Sequence, residues 1–446
     1  MESPRATSRV QRVGVRGRFL IGASVVALVS CVLVSASGAA LLKASKKPHT
    51  FTKTELAAAL DYIYPSLTAK QGPANPKLSP VSIGWVSDQT AVTGVGHEGN
   101  NDGAQTAAVL LNDNLGGIQG HPVKLVTCFI KTSEADGATC AQQMLNNPAV
   151  HIVVTGELLT GEASFVNTMN GQKPVIGVFT NGPGLTAKNT YYLSPGIRGQ
   201  IAAVPFIANQ LHAKKVAILG PNIPAAATAL GQFTKLFAAM GVSSTISLFD
   251  PSATDLTGPI AASGVQSADA AFFVGQTTSA CIAMAKAFTQ LAVKTPVVTL
   301  PFCLGPEVKA ALGDFPNWYY DFTTVNPLAV HKAASPTTTF AAAMQAYSSP
   351  KYMTSGFAPL TFGAVLTVAK WINAVGLKNY NESSMITAIT GFTGPMFMGD
   401  PNISFGNPPF PNVGATRASF YHYDGNGKFT TSALWLCAPI PGCQQH

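Results

Sequence analysis

Charge is scarce in this sequence. Only 11% of its 446 residues are Asp, Glu, Lys or Arg, too few for a coiled coil or a disordered polyelectrolyte. No G-x-S-x-G elbow, H-E-x-x-H helix or phosphate-binding P-loop occurs, so the usual marks of serine hydrolases, zinc proteases and NTPases are missing. No C-x-x-C or H-x-x-x-H pairing occurs either, and no metal or cofactor is expected. One G-x-G-x-x-G is present, Gly94 to Gly99. Its glycines begin eight residues past a strand pattern, and Cys128-Phe129 stand where a ribose-binding carboxylate belongs. These glycines suit a tight helix entry better than a dinucleotide, and no enzyme activity is expected.

Net charge is also nearly absent outside the leader. Residues 1–47 hold eight basic residues and one acidic, a balance of +7 within a total of +8, so from Pro48 onward the chain carries about +1. A neutral body gives no electrostatic steering towards nucleic acid. Five arginines precede a 24-residue uncharged run from Phe19 to Leu42. That pattern keeps the basic end in the cytoplasm and sends the remainder across the membrane. Three outcomes are open. Leu28-Val29-Ser30-Cys31 resembles a bacterial lipobox, which would make Cys31 a lipidation site; the run could stay as a transmembrane anchor; or cleavage could occur near Ser35 to Ala40. All three place the body outside the cytoplasm, and a lipid or helix anchor holds it at the outer face of the cytoplasmic membrane.

Six further cysteines in an oxidising space allow fifteen pairings. Sequence proximity suggests Cys128 with Cys140, Cys281 with Cys303, and Cys437 with Cys443. Thr52-Lys-Thr-Glu55 fits a capping box that opens a helix to about Tyr62. That helix could pack on the body or on lipid. The prolines that follow make Ser66 to Pro80 a linker that lifts the body from the membrane.

The stretch Val81 to Val126 organises the body: an apolar strand, a polar loop from Ser87 to Gly99, a helix over 100–115, and a second strand. Strand and helix patterns then alternate to Phe179, pause near Tyr191 to Arg198, and resume from Val216 to Thr299. Two α/β blocks in tandem imply parallel sheets, whose ligands sit at the carboxyl ends of strands.

Several stretches carry a specific resemblance: Ile83-Gly84; Asn112 to Val126 with its Gly116-Gly-Ile-Gln-Gly120 turn; the Cys128 and Cys140 spacing; Pro174-Val-Ile-Gly177; Lys215-Val-Ala-Ile-Leu219; Gly356 to Ala374; and Gly391-Phe-Thr-Gly394. In this order they resemble the type I periplasmic solute-binding proteins of the branched-chain amino acid group, over residues 80 to about 437. The resemblance implies an α/β periplasmic-binding-protein-like fold of two doubly wound parallel-sheet lobes, behind an N-terminal membrane segment. Lobe 1 would comprise 81–195 and 327–400, lobe 2 would comprise 196–326 and 401–446, and 1–47 and 48–80 would be leader and linker. A three-crossing hinge is expected near Pro195 to Gln200, Phe322 to Pro327 and Pro401 to Gly406.

The implied role is the binding component of an ABC importer, with a small-molecule ligand and permease subunits as partners and a monomeric body. A ligand-sensing receptor ectodomain of the same fold is the alternative. Position by position, the resemblance implies ligand contacts at Asp88, Gln89, Thr90, His97, Glu157, Leu158, Thr160, Phe179, Thr180 and Asn181 from the first lobe. Ile223, Gln276 and Phe302 would come from the second, with Phe357 opening a later helix. Amino acid binders of the group place an acidic residue where this chain has Leu300-Pro-Phe-Cys-Leu-Gly305. A buried ammonium without a partner carboxylate is costly. A less polar solute is therefore expected: an amide, an aromatic or short-chain carboxylate, or a lipid-derived acid. Glu157 could substitute for that acidic residue, but the stronger expectation is that it faces solvent or caps a helix.

Overall fold

The computed structural model describes residues 49–446, except 65–71, 90–96, 132, 159, 181, 197–199, 223, 276, 330–331, 355, 409, 438, 440–442 and 444–446. The leader, with Cys31 and the run Phe19 to Leu42, lies outside the described residues.

Five strands form the first sheet: β1 (Val81–Asp88), β2 (Val123–Ile130), β3 (Val150–Thr155), β4 (Val175–Gly177) and β5 (Thr190–Tyr192). Their order is β2-β1-β3-β4-β5 and every pairing is parallel. All of β1 is buried, as a central strand covered on both faces must be. Helices His97–Asp113, Glu134–Leu145 and Glu162–Met169 make the crossovers.

The second sheet begins with β6 (Lys215–Pro221), β7 (Ser243–Phe249), β8 (Ala270–Phe273), β9 (Val297–Thr299) and β10 (Tyr319–Phe322). After the short pair β11 (Thr393–Gly394) and β12 (Ile403–Ser404), it is completed by β13 (Arg417–Tyr423) and β14 (Phe429–Cys437), in the order β14-β13-β10-β9-β8-β6-β7. β13 is antiparallel to β10, and β14 to β13.

Between β10 and β13 the chain returns to the first sheet. The helix Phe357–Val375 lies along His97–Asp113 closely enough that a methyl on Gly103 would sit 2.2 Å from the Ala358 carbonyl oxygen. Thr361 Oγ1 donates to the Asn100 carbonyl at 2.8 Å across the same contact. Among the described residues, this helix alone is long and apolar enough to cross a membrane, and most of it is buried within the fold.

The structure differs from sequence expectation in two places and settles one alternative that the sequence left open. The pause at Tyr191 contains β5, and β10 follows a loop that showed no strand pattern; runs of three and four residues are too short to display a period of two. The capping-box helix, Lys53–Ile63, is seated on the body: Leu56, Ala59 and Ile63 are buried, and the Tyr62 hydroxyl donates to the Pro395 carbonyl at 2.8 Å. The linker is also seated from Gly72 onward. Gly72 N–H donates to the Asn114 carbonyl at 2.9 Å and Ala74 N–H to that of Asn112 at 2.6 Å, so these prolines hold a strap against the first sheet's α-to-β turn.

Disulfides join Cys128 to Cys140, Cys281 to Cys303 and Cys437 to Cys443, with Cα separations of 5.5, 5.2 and 5.6 Å.

Candidate functional site

Three phenylalanines meet where strands of both sheets end. Phe179 follows β4, Phe302 follows β9, and Phe357 is the first residue of the long helix packed on the first sheet. Ring centroids are 6.2 Å apart for Phe179 and Phe302, 6.3 Å for Phe179 and Phe357, and 5.2 Å for Phe302 and Phe357. The Phe179 contacts are edge-to-face, at interplanar angles of 81° and 78°, the arrangement aromatic quadrupoles favour.

Local chemistry fixes these rings. Pro301 opens the 3-10 turn Pro301–Leu304, and Cys303 within it is held by the disulfide to Cys281 in the helix Thr278–Gln290. Gly356 precedes Phe357 at φ +76°, and a Cβ there would lie 2.8 Å from the Pro301 ring. Only glycine fits both the left-handed backbone and the close approach.

The rings wall a cavity of about 30 Å³, space for one or two waters. Its polar lining is Gln200, Asp321 and Thr323. Gln200 and Asp321 are each 2% exposed. Among the described residues, neither oxygen of Asp321, nor either amide atom of Gln200, has a hydrogen-bond partner. Burial drives the Asp321 carboxyl well above the ordinary carboxylate range. No lysine, arginine or histidine is among the described lining residues.

A second buried acidic group lies under the ends of β1 and β3. Glu157 is 1% exposed, and burial, then the negative charges of Asp88 and Glu162, pushes its carboxyl well up. Asp88 accepts from Thr160 N–H at 2.9 Å, and Glu162 from the Tyr192 hydroxyl at 2.8 Å.

A family model described as "Periplasmic binding protein" matches residues 80–409. The chain belongs to this family. Solved structures agree on the fold. An ABC transporter substrate-binding protein from Sphaerobacter thermophilus superposes with a TM-score of 0.65 at 16% identity, covering 80% of this chain and 97% of its own. The branched-chain amino acid transporter substrate-binding protein LivJ from Streptococcus pneumoniae, in complex with isoleucine, gives 0.63 at 19%, covering 79% and 99%. A solute-binding protein from R. palustris in complex with 4-hydroxybenzoate gives 0.63 at 16%, covering 81% and 98%. None of the curated proteins compared matches the chain. The helix Lys53–Ile63 precedes the matched span.

In this periplasmic binding protein, Phe179, Phe302 and Phe357 are brought together at the cavity. Asp88, Glu157 and Leu158 are buried at the strand ends without lining it. Glu157 is thus neither solvent-facing nor a helix cap; β3 and its loop fold it inward, with its N–H on Asn100 Oδ1 at 3.4 Å. Thr180 is buried and accepts from Gly182 N–H at 3.1 Å, Thr160 is partly exposed, and Gln89 is exposed. His97 begins its helix, with its side chain outside the described residues, as are Thr90, Asn181, Ile223 and Gln276. Asp321 and Gln200 were not anticipated. The available signal was a lone acid inside the apolar run Tyr319-Tyr-Asp-Phe322, which no surface strand explains.

Proposed function

We propose that this periplasmic binding protein is the extracytoplasmic solute-binding component of an ABC importer, closing on a small organic ligand between two lobes. The observation that carries this is the Phe179, Phe302 and Phe357 cavity, built from strand ends of both sheets. At about 30 Å³ it is far smaller than the several hundred Å³ a small-molecule site needs. Capture therefore requires the rings to part, which opening of a hinge achieves.

The lobes would be 81–195 with 327–400 and 196–326 with 401–446. The third crossing of the hinge carries a brace: Asp400 accepts from Asn402 and Thr416 N–H at 2.8 and 3.0 Å and lies 3.6 Å from Arg417. The basic leader and its apolar run would hold the protein at the outer face of the cytoplasmic membrane, beside its permease. Related folds that hold isoleucine and 4-hydroxybenzoate fit a cleft with aromatic walls and one polar end.

The test is a thermal-shift panel of amino acids, aromatic and fatty carboxylates, amides and amines on the chain from Thr50. A ligand at 100-fold over its dissociation constant stabilises by about 2.7 kcal/mol. A saturable shift, together with a smaller radius of gyration in solution scattering, is expected for at least one class. Failure of every class to produce either change would sink the importer reading.

A further inference from the structure

We propose that Asp321 and Gln200 form the polar end of the ligand site and select a solute whose head donates N–H hydrogen bonds, an amine or a primary amide, on an aromatic or branched apolar body. This inference rests on the solute-capture reading and names its substrate class.

The argument starts from an imbalance. Buried polar groups in folded proteins are almost always hydrogen-bonded, and leaving one unsatisfied costs about 1–3 kcal/mol. Here two side chains on one cavity wall, from different segments, leave four polar atoms unpartnered. One is on β10, and the other lies at the expected first crossing between lobes. Other buried groups lack partners elsewhere, but these two share a cavity with the aromatic rings. The atoms are complementary to a ligand head and not to each other, since no bond joins Asp321 to Gln200.

The chemistry of the set chooses the head. A carboxylate ligand needs cations or a cluster of donors; the described lining has no cation, and the Gln200 amide with the Thr323 and Asp321 hydroxyls leaves its charge uncompensated. An amine or amide supplies N–H donors to the Asp321 oxygens and to Gln200 Oε1. When an ammonium head binds, the Asp321 carboxyl gives up its proton to solvent, and the resulting carboxylate is the partner that the loop Leu300 to Gly305 lacks. The rest of the wall is apolar, so the body must be as well: Phe179, Phe302, Phe357, Leu300 and Leu360 present rings and branched side chains.

The two N–H sources separate by charge. An amine binds as a cation and depends on the carboxylate, whereas an amide binds as a neutral donor and tolerates a neutral acceptor.

The experiment uses isothermal titration of the exported chain with benzylamine, benzamide and benzoate, and with 3-methylbutylamine, 3-methylbutanamide and 3-methylbutanoate. Within each trio the amine or the amide is expected to bind at least tenfold tighter than the carboxylate. Asp321→Asn should weaken an amine at least tenfold while leaving an amide within about threefold, and Gln200→Leu should weaken both. Circular dichroism and the melting midpoint of each variant report whether it folds. If a variant does not, Asp321→Ser or Gln200→Met is read in its place, with the same expected losses and the same overturning outcomes.

Tighter binding of the carboxylates, or an order unchanged in Asp321→Asn, overturns the assignment while leaving solute capture intact. Binding of none of the six also overturns it, and the broader panel above then decides the capture reading separately.

Discussion

The ring of Phe302 lies 5.2 Å from that of Phe357, one on the loop after the second sheet's β9, the other on a helix packed against the first sheet. The contact thus joins an element of the second sheet to one packed on the first. It should help hold the ligand-free protein closed. Phe302→Ala is expected to enlarge the radius of gyration of the free protein in solution scattering and to weaken binding of any apolar solute at least tenfold. Unchanged scattering and affinity would remove the aromatic trio from the closing mechanism.

Asp321 and Glu157 give an acid-base signature. Burial raises both carboxyls, and the charges of Asp88 and Glu162 add to Glu157. A carboxyl raised in the folded state keeps a proton that the unfolded chain releases above about pH 4. Its stabilising contribution is therefore complete below that value and is lost as pH rises towards the folded pKa. In urea titrations the double variant Asp321→Asn with Glu157→Gln should gain stability over the parent at pH 8 relative to pH 5. A difference independent of pH would contradict buried, proton-holding carboxyls.

Gly103 makes a sharp steric prediction. Its missing Cβ is what lets the helix Phe357–Val375 approach, with the Ala358 carbonyl oxygen 2.2 Å and Thr361 Oγ1 2.3 Å from where that carbon would sit. Gly103→Ala should destabilise by at least about 2 kcal/mol through overpacking. Gly231, inside the helix Pro224–Ala239, has open space around the same position, so Gly231→Ala should stabilise by about 0.5–1 kcal/mol. Chemical denaturation of the pair checks both signs.

The helix Lys53–Ile63 predicts where a stable body begins. A chain starting at Gly72 would expose the apolar groove that Leu56, Ala59 and Ile63 cover. It should unfold at lower urea than one starting at Thr50, and Leu56→Ala in the longer chain should cost about 2–5 kcal/mol. Equal midpoints for both chains would mean that the helix adds nothing to the fold.

Much of this architecture was legible because β1, β2, β3 and the helices between them are long enough to show their periods, and because the Gly116 to Gly120 turn is distinctive. Asp321 was hidden because burial at a strand end depends on β13 arriving from about a hundred residues later in the chain, opposite it at Phe420. Glu157 was misplaced for a related reason: its inward turn depends on Asn100 and Asp88 lying beside it. The seat of the capping-box helix was equally hidden, since its apolar side fits lipid or protein alike until helices Pro336–Tyr347 and Phe357–Val375 exist to receive it.

The bond between Cys281 and Cys303 sits one residue from Phe302. A chain still in a reducing compartment lacks that brace, and the turn bearing the ring is then free to move away from Phe179 and Phe357. On the proposed reading, oxidation outside the cytoplasm would act as a maturation step, with cargo held only on the side where cargo is found.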